Sequence, residues 1–159
     1  MASRERSAVN GVLLDDVAKA IIEQLQEDGR RPYAAIGKAV GLSEAAVRQR
    51  VQRLVDAGVI QIVAVTDPLT VGFPRAAMIG IRVEGDLESV AAQLERLPAI
   101  SYMVITAGHY DILVEAVCED DAHLLDLITK GIRAIPGVLH TETFVYLSLR
   151  KQIYTWGTR

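Results

Sequence analysis

The feature that most limits the fold of this chain is a tight turn, Gly41–Leu42–Ser43, between two stretches with helical spacing of apolar residues. Glycine adopts the left-handed conformation that such a turn needs without steric cost. Serine is a strong N-cap for a helix that begins directly after it. The pattern therefore predicts helices over residues 33–40 and 44–57, joined so closely that they must be neighbours in the fold.

A further helix is predicted before this pair, over residues 15–28. Asp15 or Asp16 can cap its start, and Gly29 ends it. The residues predicted to be buried recur at helical spacing, and they are Val17, Ala18, Ile21, Ile22, Leu25, Ile36, Val40, Val47, Val51, Leu54 and Val55. Three helices within about 45 residues, two of them joined by a glycine turn, predict a helix-turn-helix.

The helix over residues 44–57 has an outward side made of hydrogen-bond donors and basic groups. From Arg30 to Arg53 the sequence holds six basic residues and one acidic residue, a net charge of +5. Small Ala45 permits close approach to a groove, and the arginine and glutamine side chains that follow match the edges of guanine and adenine. The predicted contacts with double-stranded DNA are Arg30, Arg31, Lys38, Ser43, Ala45, Arg48, Gln49, Gln52 and Arg53. A solvated basic side on an ordinary helical bundle is the alternative interpretation.

The pattern changes near residue 67, where a linker is predicted. Residues 59–65 are a β-branched run and predict a strand, which would make the N-terminal domain a winged helix-turn-helix. Turn-forming residues then follow, Asp67-Pro68 and Gly72-Phe73-Pro74. The predicted organisation is a flexible arm at 1–10, a helix-turn-helix domain at 11–66, a linker at 67–74, a second domain at 75–150 and a C-terminal tail at 151–159.

The second domain predicts a β-α-β-β-α-β order, which is the ferredoxin-like arrangement of an α+β fold. Its strands are predicted at residues 76–83, 102–106, 110–117 and 140–149, and its helices at 87–97 and 121–135. Both helices then lie on one face of an antiparallel sheet and leave the other face uncovered. Some of five apolar residues are predicted on that uncovered face: Met78, Val104, Ile112, Val114 and Val145. We therefore expect the chain to form at least a dimer.

Two segments resemble one known family. Residues 14–61 are similar to the DNA-binding domain of the Lrp/AsnC (leucine-responsive, feast/famine) regulators, through the pattern G-L-S-x-x-x-V-x-x-R-V-x-R-L-x-x-x-G-V-I that begins at Gly41. Residues 75–149 resemble the ligand-sensing domain of the same family, through TAGHYDILVEAVCED and IPGVLHTETFVYL. The resemblance implies a sequence-specific transcription regulator that responds to an amino acid or a related small metabolite.

The resemblance also implies where the effector binds and how the protein assembles. Members of the family form dimers that often assemble into tetramers, octamers or larger rings. They bind an amino acid or a related small molecule between dimers, near a turn that is here Gly108–Asp111. The effector-binding residues that the resemblance implies are Met103, Thr106, Gly108, His109, Tyr110, Asp111, Thr143 and Phe144. The Asp111 carboxylate can accept hydrogen bonds from the amino group of such a ligand, and backbone N–H groups of the turn can donate to its carboxylate. His109 stands where members commonly carry an acidic or small polar residue.

The sequence lacks the residue patterns that metal binding, catalysis and membrane insertion require. His109, His123 and His140 are scattered and Cys118 stands alone, so the sequence predicts no metal site, no cofactor and no catalytic residues. No apolar run approaches the ~20 residues that cross a bilayer, so no membrane partner is expected and the protein is predicted to be cytoplasmic and nucleoid-associated. Two alternatives stay open: an architectural, chromatin-like protein that wraps DNA with weak sequence specificity, and a metabolite-binding module whose helix-turn-helix no longer binds DNA.

Overall fold

The computed structural model describes residues 8–9 and 12–159, and it divides into two compact units. The first unit takes in the chain up to Ala64 together with Lys151–Arg159, and the second unit is Val65–Arg150. The predicted arm, residues 1–10, lies outside the described residues except for Ala8–Val9. That short strand, β1, pairs antiparallel with β2, Val12–Leu13, so the described part of the arm belongs to a small two-stranded sheet.

The described residues of the first unit contain three helices: α1, Asp16–Glu27, α2, Tyr33–Val40, and α3, Glu44–Asp56. Their apolar sides meet in one core, whose buried members are Ile21, Leu25, Ile36, Val47 and Val51. The predicted helix-turn-helix is confirmed. Val55 was predicted to be buried and is 38% exposed, because it lies at the edge of the apolar stripe of α3. The longest helix, α3, has 13 residues, and within the described chain no helix is long and apolar enough to cross a membrane.

The ends of these helices carry the caps that the sequence predicted. The carboxylate of Asp15 accepts a hydrogen bond from the Ala18 N–H at 2.7 Å, and the Ser43 hydroxyl accepts one from the Ala46 N–H at 3.2 Å. Gly41 ends α2 with a φ of 73°, which is the left-handed region where glycine is favoured. Local residue chemistry therefore fixes where α1 and α3 begin and where α2 ends.

Gly37 lies inside α2, where glycine costs roughly 0.5–1 kcal/mol relative to alanine. The structure gives the reason for it. A Cβ built on Gly37 would lie 2.5 Å from the carbonyl oxygen of Leu42, because the turn folds back over the helix. Any larger residue at this position would push the turn away from α2, so the close packing of the turn depends on this glycine.

The strand predicted at residues 59–65 is wrong, and so is the wing that it was expected to provide. Within the described chain this segment belongs to no strand. Its apolar side chains are largely in solvent, with Ile62 47%, Val63 68% and Val65 56% exposed. A β-branched run favours extended backbone, but it becomes a strand only where another strand offers hydrogen-bond partners.

The second unit has the predicted β-α-β-β-α-β order, and its ferredoxin-like topology is confirmed. Its elements are β3, Arg75–Val83, α4, Leu87–Leu94, β4, Ile100–Ile105, β5, Ile112–Cys118, α5, Asp121–Asp126, and β6, Val138–Val145. The four strands form one antiparallel sheet in the order β4-β5-β3-β6. The second helix continues beyond α5 as a π-helical stretch, Leu127–Ile132. The last strand ends at Val145, four residues earlier than predicted.

The two faces of this sheet differ in what covers them. The face that packs against α4 and α5 forms the core, and its sheet residues include Ala77, Ile79, Ile81, Ile112, Val114, Ala116 and Cys118. We call the other side the open face, and the strand registers place on it Ala76, Met78, Gly80, Arg82, Tyr102, Val104, Leu113, Glu115, Val117, His140, Glu142 and Phe144.

Of the five candidates for the uncovered face, two lie on it and three lie on the core side of the sheet. Ile112 and Val114 are fully buried in the core, and Val145 pairs with Ala77 on the core side. Met78 and Val104 are placed correctly. Side chains alternate along a strand, so a phase error of one residue moves a side chain to the opposite face.

Candidate nucleic-acid interface and effector site

The outward side of α3 is polar and fully available to solvent. Its inward side is formed by Val47, Val51 and Leu54, which are 0–2% exposed. The residues that the sequence predicted to read DNA bases lie on the opposite side of α3, and all of them are exposed: Ala45, Arg48, Gln49 and Gln52. Arg53, a predicted DNA contact at the flank of this side, is exposed as well. A helix with this division presents a row of hydrogen-bond donors and acceptors away from its own core.

Two of these outward side chains are held in place by neighbours. Arg48 Nη2 donates to Glu44 Oε1 at 2.9 Å, and its guanidinium carbon lies 5.3 Å from the centre of the Tyr33 ring. Gln52 Nε2 donates to Asp56 Oδ1 at 2.7 Å. Such contacts reduce the number of conformations that a long side chain must give up when it binds. The guanidinium plane of Arg48 is thus oriented before any partner arrives.

The residues predicted to contact phosphates lie around this helix, and they differ in whether an acidic side chain already pairs with them. Arg30 and Lys38 are exposed, and Arg31 Nη1 donates to Glu27 Oε2 at 3.0 Å. Ser43 was predicted as a DNA contact, and the structure gives its hydroxyl the N-cap of α3. A hydroxyl oxygen that accepts from the helix can still donate its proton outward, so the two roles are compatible.

Arg50 differs from the other basic residues of α3, and it is not among the predicted DNA contacts. Its Nη1 donates to both carboxylate oxygens of Asp15, at 3.0 and 2.9 Å. The two residues are 35 positions apart. No local spacing could have predicted this pair, because only the packing of α1 against α3 brings the two side chains together.

The turn between β4 and β5 is closed by its own hydrogen bonds. The Thr106 N–H donates to the Asp111 carbonyl at 2.8 Å, and the Thr106 hydroxyl donates to the Tyr110 carbonyl at 2.5 Å. Asp111 Oδ2 accepts from the Val83 N–H at 2.7 Å. The pairing of β3 with β6 shifts register between Arg82 and Val83, so this carboxylate serves an N–H next to an irregularity of the sheet. Nothing in the local sequence pattern indicates this structural role of Asp111, because its partner Val83 is 28 positions away.

Three aromatic rings gather beside this turn, and we call His109, Tyr110 and Phe144 the aromatic cluster. The ring centres of His109 and Tyr110 are 4.8 Å apart, and those of Tyr110 and Phe144 are 6.4 Å apart, both in edge-to-face geometry. Tyr110 lies directly over Gly80, where an added Cβ would come within 2.6 Å of the ring. Because Gly80 has no side chain, the Tyr110 ring can pack directly on the backbone of β3. The sequence pattern did not predict this role of Gly80.

The structure does not bring all the implied effector residues together. Phe144 lies on the open face, whereas Met103 packs against the core and Thr143 pairs with the buried Ile79. Gly108 is exposed, and a Cβ added to it would meet nothing within 4 Å. Thr106, which bonds to Tyr110 and Asp111, therefore shares one location with the turn Gly108–Asp111 and Phe144.

The C-terminal tail is attached to α1. The Gly157 N–H donates to Gln26 Oε1 at 3.0 Å, and the Thr158 hydroxyl donates to Glu23 Oε1 at 2.5 Å. The rings of Tyr154 and Trp156 contact each other edge to face, with centres 6.1 Å apart. These contacts tie the end of the chain to the helix-turn-helix unit.

Two groups that could in principle do chemistry are held neutral. Burial raises the pKa of the Cys118 thiol, and the Asp120 carboxylate raises it further. Burial also raises the pKa of the Tyr146 phenol to about 12, and the charge of Glu115 and a hydrogen bond to it add to the effect. Neither group is a ready nucleophile at neutral pH. Among the described residues, no cluster of three His, Cys, Asp or Glu side chains could hold a metal ion.

Two family descriptions match the chain, one for each part. Residues 14–55 match an AsnC-type helix-turn-helix domain. Residues 73–159 match a C-terminal dimeric alpha+beta barrel domain. The first match covers the three helices of the first unit, and the second covers the four-stranded sheet and the tail.

Individual proteins agree with these matches. The chain is 36% identical to the HTH-type transcriptional regulator FL11 of Pyrococcus horikoshii. The 143 matched residues cover 89% of this chain and 94% of the relative. It also resembles the crystal structure of the leucine response regulatory protein LrpA of Mycobacterium tuberculosis, with a TM-score of 0.77, 27% identity, and coverage of 89% of this chain and 100% of that one. A transcriptional regulator of Neisseria meningitidis, solved as a complex with L-Met, shares the fold with a TM-score of 0.74, 24% identity, and coverage of 89% and 95%.

Proposed function

Because the chain belongs to the AsnC family of transcriptional regulators, we propose that it binds specific sequences of double-stranded DNA through the outward side of α3. The family consists of regulators and not of enzymes. One observation carries the proposal: Arg48, Gln49 and Gln52 all point into solvent from a helix whose other side is buried. Arginine and glutamine form paired hydrogen bonds with guanine and adenine edges in the major groove.

The charge around α3 supports the same proposal. Arg30, Arg31 and Lys38 surround the helix-turn-helix with positive groups that suit phosphates, which position a protein on DNA without reading its sequence. The second unit is acidic: from Arg82 to Ile128 it carries ten acidic and two basic residues, a net charge of −8. Phosphates repel such a surface, so the first unit is the one that faces DNA.

A selection experiment tests sequence-specific binding. The wild-type protein selects duplexes from a pool of random sequences, and the preferred duplex is then footprinted at increasing salt. Discrete protection that persists in salt, in half-sites about 10 bp or a multiple of that apart, supports the proposal. Uniform protection that fades as salt rises supports the wrapping alternative, because non-specific binding is almost entirely electrostatic.

Variants then identify the reading residue. Arg48→Gln is expected to weaken binding to the selected duplex by about 1–3 kcal/mol and to relax the preference at one base pair. Lys130→Gln is the matched control, because Lys130 is equally exposed and basic but lies in the second unit. If both variants bind as the wild type does, α3 does not read the DNA, and the metabolite-binding alternative gains.

We infer further that the open face pairs with the open face of a second copy. Met78, Val104 and Phe144 give this face an apolar surface that the helices of the unit do not cover, and the family domain that matches here is described as dimeric. Val104→Glu is expected to dissociate the dimer, as measured by analytical ultracentrifugation. Leu125→Glu is the control, since Leu125 is a large apolar residue, 59% exposed, on α5. Assembly of dimers into tetramers or octamers is read from the same measurement.

The effector that we propose is an amino acid, bound at the turn Gly108–Asp111 and the aromatic cluster. Two observations support this site: Gly108 and His109 of the turn are exposed, and aromatic rings lie beside it. The complex of the structural neighbour from Neisseria with L-Met supports an amino acid as the kind of ligand. A carboxylate has about four acceptor positions, so Asp111 can bind an amino group while it holds the Val83 N–H.

A thermal-shift screen of the common amino acids tests the effector site. Asp111→Asn keeps an oxygen for the Val83 N–H but removes the charge, so the fold is retained while recognition of an amino group is weakened. An amino acid that stabilises the wild type and fails to stabilise this variant supports the site. A hit that keeps its full shift in Asp111→Asn and in Phe144→Leu places the effector elsewhere.

A further inference from the structure

The basic residues of α3 fall into two groups. The side chains of Arg48 and Arg53 are exposed, whereas that of Arg50 is 36% exposed and pairs with Asp15, which is 32% exposed. Arg50 stands three positions after the buried Val47 and one before the buried Val51, so it lies at the edge of the inward stripe of the helix, next to α1, and not in the middle of its outward side. A partly buried charge at that edge is stabilised by an opposite charge, which Asp15 provides.

Asp15 does two things at once. Its Oδ1 accepts the Ala18 N–H at 2.7 Å and thereby caps α1, and the same carboxylate takes Nη1 of Arg50. The cap fixes where the carboxylate stands relative to α1, and the ion pair fixes where α3 stands relative to the carboxylate. Apolar contacts in the core are not directional, so they leave small rotations of a helix about its axis poorly determined. A hydrogen-bonded ion pair with defined geometry restricts them.

We propose that Arg50 is a positioning residue that does not contact DNA: its pairing with Asp15 sets the rotation of α3 and thereby aims Arg48, Gln49 and Gln52 at the base edges. This inference rests on the proposed DNA binding through α3. It assigns different roles to two arginines of one helix: Arg50 orients α3, and Arg53 contacts a DNA phosphate. Loss of the pair then costs sequence discrimination, whereas loss of a phosphate contact costs affinity for any DNA.

The test compares Arg50→Gln, Asp15→Asn, the double variant and Arg53→Gln on two duplexes. One duplex is the sequence selected by the wild type, and the other is the same composition in scrambled order. Asn is as good an N-cap as Asp, so Asp15→Asn keeps the start of α1 while it loses the charge. This variant tests the proposal alone if Arg50→Gln fails to fold, and circular dichroism reports the folded fraction of each protein.

Arg50→Gln and Asp15→Asn are expected to weaken binding to the selected duplex by roughly three- to tenfold, with the double variant no weaker than Arg50→Gln. Their affinity for the scrambled duplex, and the slope of log affinity against log salt, stay at the wild-type values. Arg53→Gln is expected to weaken both duplexes and to flatten the slope by about 0.9, the value for one lost phosphate contact. A merely structural role would lower the folded fraction without changing the ratio of the two affinities.

Two results overturn the inference. One is a salt slope for Arg50→Gln that flattens as it does for Arg53→Gln, because Arg50 then contacts phosphate. The other is wild-type discrimination in folded Asp15→Asn. Failure of the proposed function looks different, since the wild-type protein itself then shows no difference between the selected and scrambled duplexes.

Discussion

The outward surfaces of the two units are opposite in character. The outward side of α3 carries long polar and basic side chains, and two of them are held by a partner one helical turn away, Arg48 by Glu44 and Gln52 by Asp56. The open face carries apolar and aromatic side chains on a sheet within an acidic unit. A polyanion can bind the first surface and is repelled by the second. Covering the second surface with another apolar surface or a small ligand removes apolar groups from water, and this lowers the free energy.

The two surfaces also differ in what holds their shape. Each unit buries a glycine that a Cβ would force into a clash, Gly37 in α2 and Gly80 in β3. The obstacle at Gly37 is a backbone carbonyl, that of Leu42, whereas the obstacle at Gly80 is the ring of Tyr110. A ring can rotate away, but a carbonyl moves only if the turn between α2 and α3 opens. The helix-turn-helix is therefore the more rigidly determined of the two surfaces.

Gly37→Ala is expected to have the largest effect. The added Cβ would stand 2.5 Å from the Leu42 oxygen, so the turn must open, at a cost to the first unit of about 3 kcal/mol or more. Thermal unfolding would show an early transition for the helix-turn-helix, and binding to the selected duplex would be lost at 37 °C. Gly108→Ala is the control, because its Cβ meets nothing. A Gly37→Ala protein that melts as the control does would contradict the account of the turn.

Gly80→Ala is expected to have a smaller effect, about 1–2 kcal/mol, because the Tyr110 ring can move off the strand. The effector response should weaken more than the stability does, since the aromatic cluster is displaced. A double-mutant cycle with Tyr110→Ala isolates the clash: without the ring, the alanine at position 80 should cost almost nothing. Equal costs in the two backgrounds would show that Tyr110 is not what requires Gly80.

The fold was predictable where the determinants are local. The caps at Asp15 and Ser43 and the turn at Gly41 are encoded within a few residues of the places where they act, and the structure confirms them. The strand predicted at residues 59–65 failed because a strand needs a partner that no local pattern reveals. The uncovered face of the sheet was predicted, but Ile112 was placed on the wrong side, because alternation in a mostly apolar strand does not fix the phase.

The candidate sites divide in the same way. The outward residues of α3 could be predicted because helical periodicity alone decides which side of a helix is buried. The Arg50–Asp15 pair and the seat that Gly80 gives to Tyr110 could not, because both depend on tertiary contacts between distant residues. The effector residues implied by resemblance were only partly brought together for the same reason: Met103 lies on the core side and Phe144 on the open face.

Tyr33→Leu sharpens the idea that the outward side of α3 is held ready for binding. The ring under the Arg48 guanidinium is worth about 0.5–1 kcal/mol, so its loss should weaken binding to the selected duplex by roughly two- to fivefold. Tyr33→Phe keeps the ring and should bind as the wild type does. Fluorescence anisotropy with labelled duplex resolves this difference. Equal loss in both variants would assign the effect to the hydroxyl and not to the ring.

The smallest expected effect concerns the free-energy cost of ionising the Tyr146 phenol beside Glu115 on the open face. Tyr146 follows β6, and its N–H donates to the Ala76 carbonyl at 2.8 Å. Burial and the neighbouring Glu115 raise the pKa of its phenol to about 12, whereas an unfolded tyrosine titrates near 10. The unfolded state therefore loses its proton first, and the contribution of Tyr146 to stability is complete below about pH 10 and is lost as the pH rises to about 12.

Tyr146→Phe has no phenol to titrate, so it should lose less stability than the wild type between about pH 10 and 12, as measured by urea unfolding at a series of pH values. The other groups that titrate in this range are common to both proteins and cancel in the comparison. The difference should be modest, because Tyr146 remains partly in solvent. Parallel curves for the two proteins would mean that the open face accepts a charge near Glu115 without cost, and the contrast between the two surfaces would then rest on α3 alone.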